Sequence, residues 1–197
     1  MQLSDIFLRL GQENFEPLLR SISLGRLKTY QLFDPLKTRL HLHKLNAEHL
    51  RKAAPRLWER LQQEASQDLS TELGQAILIS HMDMIKAVLD QLGVPHEEGF
   101  FAKDTDVSGH LKEGWPQQAW DAFHEKFPPV PLLFYINHLA WEVAKADDVF
   151  RPDATAPLNI APVKQEVAEG AVAKTRKTRD AKPDEPKPDA PQMSFFD

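Results

Sequence analysis

Cysteine is absent from all 197 residues. That excludes a disulfide framework, a thiol nucleophile and any cysteine-ligated zinc or iron–sulfur centre. Glycine is scarce, and neither G-x-x-x-x-G-K-[ST] nor G-x-G-x-x-G occurs, so the two common glycine-rich phosphate cradles are missing. The strained G-x-S-x-G elbow of serine hydrolases is missing too. No apolar run approaches the roughly 18 residues of a membrane-spanning helix, so no membrane partner is expected. The opening MQLSDIFLRLGQ has neither the basic start nor the small-residue cleavage site of a signal peptide. The cytoplasm is the expected compartment. Few segments alternate with period two and none is bounded like a hairpin, which argues against a sheet.

What is present over residues 1–150 reads as an all-α, multi-helix domain. In STELGQAILISHMDMIKAVLDQLG, the residues Leu69, Leu73, Ile77, Met84, Ile85, Val88, Leu89 and Leu92 recur at spacings of three and four. That places them on one face of a single helix, with Ser70 at its start and Gly93 with Pro95 at its stop. Asp34-Pro35 reads as a cap and first helical residue before LKTRLHLHKL. Asn46 is expected to cap AEHLRKAAPRLWERLQQ, and Pro55 to break or kink that helix. Ser4 caps the first helix, with Leu3 as its hydrophobic staple. PQQAWDAFHEKF and PLLFYINHLAWEVAK supply two further helices. Their aromatic residues, with Trp115, are expected in the core.

Charge is unevenly distributed. Residues 20–60 carry ten Lys or Arg against three Asp or Glu, whereas residues 61–150 carry five against fifteen. The basic stretch is either packed and solvated charge or a phosphate-contacting surface. In the second case DNA is a partner, and Arg39, Lys44, Arg51, Lys52, Arg56 and Arg60 are its candidate contacts.

Metal chemistry has thin support. Asp104, Asp106 and Ser108 alternate ahead of Gly109, like the first half of an EF-hand loop, but the twelfth position is Trp115 rather than a bidentate glutamate. The expectation is therefore no metal and no cofactor, with Ser108 or Asp106 capping a short helix. His138 with Glu142, and Asp121 with His124, have spacings that share a helix face. They are the residues a helical metal-dependent enzyme would use, although the paired Glu-x-x-His motif of di-iron bundles is absent.

Composition changes near residue 150. From Arg151 onward there are seven prolines, no Trp or Tyr, and basic and acidic residues in equal number. Such a segment cannot bury enough apolar surface to offset the entropy of ordering, so residues 151–191 read as a disordered linker. It ends in PQMSFFD, where residues 192–197 form a terminal linear motif. Gln192, Met193, Ser194, Phe195 and Phe196 resemble the peptide by which proteins bind the bacterial sliding clamp, the DNA polymerase III beta subunit. That pattern runs glutamine, Leu or Met, Ser or Asp, Leu or another large apolar residue, then Phe or Leu; Phe195 stands where leucine is commoner. The resemblance implies a glutamine seated in a polar pocket and two apolar residues in an adjacent hydrophobic one. It also implies an accessory or recruitment role in bacterial DNA replication or repair, more in keeping with a binding protein than an enzyme. The other readings of the chain are a helical interaction protein unrelated to DNA and the metal-dependent enzyme above. Gln2 to Phe7, QLSDIF, has a superficially similar pattern.

Overall fold

The computed structural model describes residues 2–34, 36, 47–63 and 67–152, all within one unit. The fold is all-α. The helices are α1 (Leu3–Leu10), α2 (Gln12–Arg20), α3 (Leu24–Thr29), α4 (Ala47–Leu61), α5 (Gln67–Ser80), α6 (Met82–Leu92), α7 (Trp115–Phe123) and α8 (Pro129–Ala144). Among the described residues, strand is confined to a two-residue pair, β1 (His96–Glu97) and β2 (Phe100–Phe101). No helix among them is long and apolar enough to cross a membrane.

Helix α8 organises the rest. Its sequence PVPLLFYINHLAWEVA has no broad polar face, and a helix of that kind must be surrounded. Val130, Leu132, Leu133, Phe134, Ile136 and Leu139 are each at most 1% exposed. Helices α1, α2, α5 and α7 pack on it, α4 lies chiefly against α2, and α3 lies against α5. An aromatic chain ties these layers together. Phe7 meets Phe134 at 4.9 Å between ring centres and Phe15 at 5.9 Å, edge to face; Phe15 in turn meets Trp58 at 5.4 Å. Fully burying each such ring contributes on the order of 2–3 kcal/mol.

Several local expectations are corrected. The long periodic segment is two helices, α5 and α6, broken at His81, which adopts φ −122° and ψ 31°. Both halves still bury the expected apolar residues, Leu92 only in part, so a continuous period concealed the break. A tertiary contact stabilises the junction: Ser80 Oγ accepts from the Ser23 amide at 2.8 Å and donates to Ala76 O at 2.6 Å. Ser70 does not start the helix, which begins a turn earlier, and its hydroxyl donates back to Gln67 O at 2.9 Å. Pro55 does not end α4, which runs through it. The proline faces solvent, while Ala54, Leu57, Trp58 and Leu61 pin the helix to the core on both sides of it. Ser4 is a buried residue within α1, and the cap position falls to Gln2, whose amide donates to Asp5 Oδ2 at 2.6 Å. Asp34, expected as a cap, is itself helical, as is Phe33 before it, so the helix there starts earlier; Pro35 and Asn46 lie outside the described residues.

A hairpin exists where none was expected. His96 pairs with Phe101 and Glu97 with Phe100 across a two-residue turn in which Glu98 (φ 52°) and Gly99 (φ 93°) are both left-handed. A tight hairpin loop requires that conformation. Gly99 is needed for space as well: a Cβ there would stand 2.7 Å from Met82 Cε. The hairpin is fastened to α6 by Lys86 with Glu98 and by His96 Nε2, 3.2 Å from Asp90 Oδ1. Gly93 ends α6 as expected, with φ 67° and the Val94 amide reaching back to Leu89 O at 3.0 Å.

Candidate functional site

The sequence-predicted residues fall at separate places. Gln192, Met193, Ser194, Phe195 and Phe196 lie outside the described residues, as do Arg39 and Lys44. What the structure does define is how the last described residues are held to the domain. Asn137, buried in α8, holds Phe150 by both main-chain groups: its Nδ2 donates to Phe150 O at 3.0 Å, and the Phe150 amide donates to its Oδ1 at 2.6 Å. Beside this clasp Arg9 Nη1 donates to Asp147 O at 2.7 Å, and the Arg151 guanidinium donates to Arg9 O. Asparagine within an apolar helix is the trace such a clasp leaves in the sequence; its partner at a separation of thirteen is not marked.

Arg51, Lys52, Arg56 and Arg60 are all exposed on α4, on the side away from buried Ala54, Leu57 and Leu61. Glu48 and Glu59 share that side, and Lys52 Nζ lies 2.7 Å from Glu48 Oε1. Farther back, Arg26 is paired with Asp83 of α6. The α4 face is thus a basic stripe with interspersed acids.

The metal candidates do not converge. Asp106 Oδ1 accepts from Ser108 Oγ at 2.6 Å and from the Gly109 amide at 3.3 Å, which caps the short 3-10 turn Ser108–His110 and holds the Asp106 carboxyl below its usual range. Asp121 accepts from Gln117 Nε2, and His124 stacks on Trp120 while its Nδ1 contacts Trp120 O at 2.9 Å. Among the described residues no three His, Asp or Glu side chains are placed to hold a metal ion.

His138 and Glu142 do meet, and they line a groove that was not foreseen. The residues Tyr135, His138, Leu139 and Glu142, spaced three and four apart, form one stripe of α8. That stripe is one wall of an open-sided groove of about 450 Å³, whose other walls are Ile79 of α5, Met82 and Ile85 of α6, and the hairpin. Tyr30, Phe100 and Phe101 rim it, the large apolar residues that stand out as exposed among those described. Tyr30 and Phe100 are 6.2 Å apart.

The groove's polar groups are few. His138 Nδ1 stands 3.3 Å from Glu142 Oε2, and burial lowers the imidazole pKa to about 4. Near neutral pH the ring is therefore uncharged, and the contact is a carboxylate beside a neutral imidazole rather than an ion pair. Burial raises the Glu142 carboxyl, with Lys145 opposing the shift. Tyr135 is 4% exposed, burial holds its phenol protonated, and no described residue hydrogen-bonds its Oη. The exposed Phe100-Phe101 pair was the signal available in the sequence, two aromatics in a loop too short to bury them.

Searches of protein families, curated proteins and solved structures found no match to this chain.

Proposed function

We propose that this protein is an accessory or recruitment factor in bacterial DNA replication or repair that docks on the sliding clamp through its C-terminal peptide. The observation that carries the reading is the terminal sequence Gln192-Met193-Ser194-Phe195-Phe196, set beyond a proline- and charge-rich spacer. The fold offers two supports. The Asn137 clasp at Phe150 anchors the chain at the head of that spacer, so domain and peptide can act at once and the tether raises effective concentration. The similar pattern at Gln2 to Phe7 is committed to α1, where Leu3, Ile6 and Phe7 are buried and have no surface to offer a clamp.

Binding through so short a segment rests on a few anchors. Titrating the peptide APQMSFFD and the full chain against a purified bacterial clamp tests the reading. Gln192→Ala should weaken binding by about 1 kcal/mol, the worth of a hydrogen bond. Phe196→Ala should cost roughly 2 kcal/mol or more, as loss of an anchor in a desolvated pocket. Ser194→Ala should matter least. Equal binding by wild-type and doubly substituted peptides, or none by either, overturns the proposal.

A further inference from the structure

The groove between α8, the α5–α6 junction and the hairpin has the dimensions of a binding site. Its volume of about 450 Å³ falls within the range of small-molecule sites, and its walls are largely apolar, as such sites usually are. A groove of this kind selects its occupant through its polar groups. Among the described residues no lysine or arginine lines it, and Glu142 is the only one of those lining it that carries charge at neutral pH, since His138 is neutral and Tyr135 protonated. The rim adds the faces of Tyr30, Phe100 and Phe101, whose quadrupoles attract a cation and do not favour an anion. Tyr135 also lines the groove, but its Oη has almost no accessible surface, so this side chain offers the groove its ring and not its hydroxyl.

We propose that this groove binds a small aromatic amine, its ammonium at Glu142 beneath the aromatic rim and its ring against Ile79, Met82 and Leu139. The shape and the negative charge each constrain a different part of that ligand. Anionic ligands of the same size meet the Glu142 carboxylate, which Lys145, at the Glu142 carbonyl and outside the lining, only partly offsets.

Calorimetric titration of the full chain with tyramine, phenethylamine and 3-(4-hydroxyphenyl)propionate tests the proposal. The three probes share a ring and differ in the charge and in the distal hydroxyl. Tyramine and phenethylamine should both bind, and the propionate not measurably at millimolar concentration. Glu142→Gln should weaken tyramine about tenfold or more, the usual consequence of removing a charge-assisted hydrogen bond. This half-exposed position tolerates the change, and an unaltered unfolding curve verifies it. Phe100→Ala, at an exposed position, should weaken both amines. Binding of the propionate as tight as that of tyramine, indifference to Glu142→Gln, or no heat from either amine overturns the proposal. None of these outcomes depends on clamp binding.

Discussion

Asn137 is a polar side chain inside an apolar helix, and every bond it makes is to main chain: Leu133 O at 2.9 Å and both groups of Phe150. Asn137→Ala therefore removes one side chain and strands two backbone groups that are partly buried. The expected loss is about 1–3 kcal/mol, the range for leaving such groups unsatisfied. It should appear as a lower urea midpoint with an unchanged slope. Two buried histidines give a second residue-scale expectation. His81, shielded by burial and facing Arg26, and His138, shielded by burial, both have pKa values of about 4 in the fold against 6.5 unfolded. Above pH 6.5 both states hold neutral rings and the histidines contribute no pH dependence. Between 6.5 and about 4 the unfolded chain takes up protons that the fold excludes, so stability falls with pH by up to about 1.4 kcal/mol per unit for each ring. Asp83, whose carboxyl is lowered by its bond to Arg26, adds to the loss at lower pH, and Glu142, raised by burial, opposes it. Urea midpoints measured across that window should decline for the wild type and stay flatter for a His81→Leu, His138→Leu double variant. An equally steep decline in that variant would assign the acid sensitivity to the carboxylates.

Among the elements, α4 presents the clearest open question, because its basic stripe can serve solvation or phosphate contact. If it contacts DNA, affinity must fall steeply as salt rises, since each neutralised phosphate releases counterions. Replacing Arg51, Lys52 and Arg56 together with glutamate should abolish such binding while leaving the buried side of the helix intact. A wild-type protein without DNA affinity even at low salt reduces the stripe to a solvated face. The elements also show what a sequence can and cannot reveal. The largely apolar α8 and the amphipathic α4 were legible because burial follows composition and period directly. The break at His81 was not, because α5 and α6 bury residues in a register that one straight helix would also satisfy. Pro55 misled for a related reason: the rule that proline ends a helix considers the lost hydrogen bond and not the core contacts on both sides that keep the helix going. The β1–β2 hairpin escaped notice because its turn is Glu-Gly rather than Asn-Gly, and its strands are two residues long.

For the whole molecule, the Asn137 clasp and the change in composition after Phe150 point to the same boundary. Limited proteolysis should leave a stable fragment ending near residue 152, with cleavage across the proline- and charge-rich segment. Strong hydrogen-exchange protection over residues 160–190 would contradict the disorder expected from that segment's composition. The groove, by contrast, was invisible beforehand. His138 and Glu142 were visible as an i,i+4 pair, but Tyr30, Met82 and Phe100 come from elements whose meeting is decided by tertiary packing. No local pattern encodes it. One contact reaches further than its modest energy suggests. Arg9, at the end of the first helix, grips the main chain at Asp147 and receives Arg151 in return, so the beginning and end of the folded unit lie side by side. Helix α1 is only about 12 Å long, so a few added residues could join Pro152 to Gln2 without disturbing either. Such a linker would make the domain a closed loop. It could be reopened elsewhere as a circular permutant, or lodged whole within a loop of another protein, and keep its architecture.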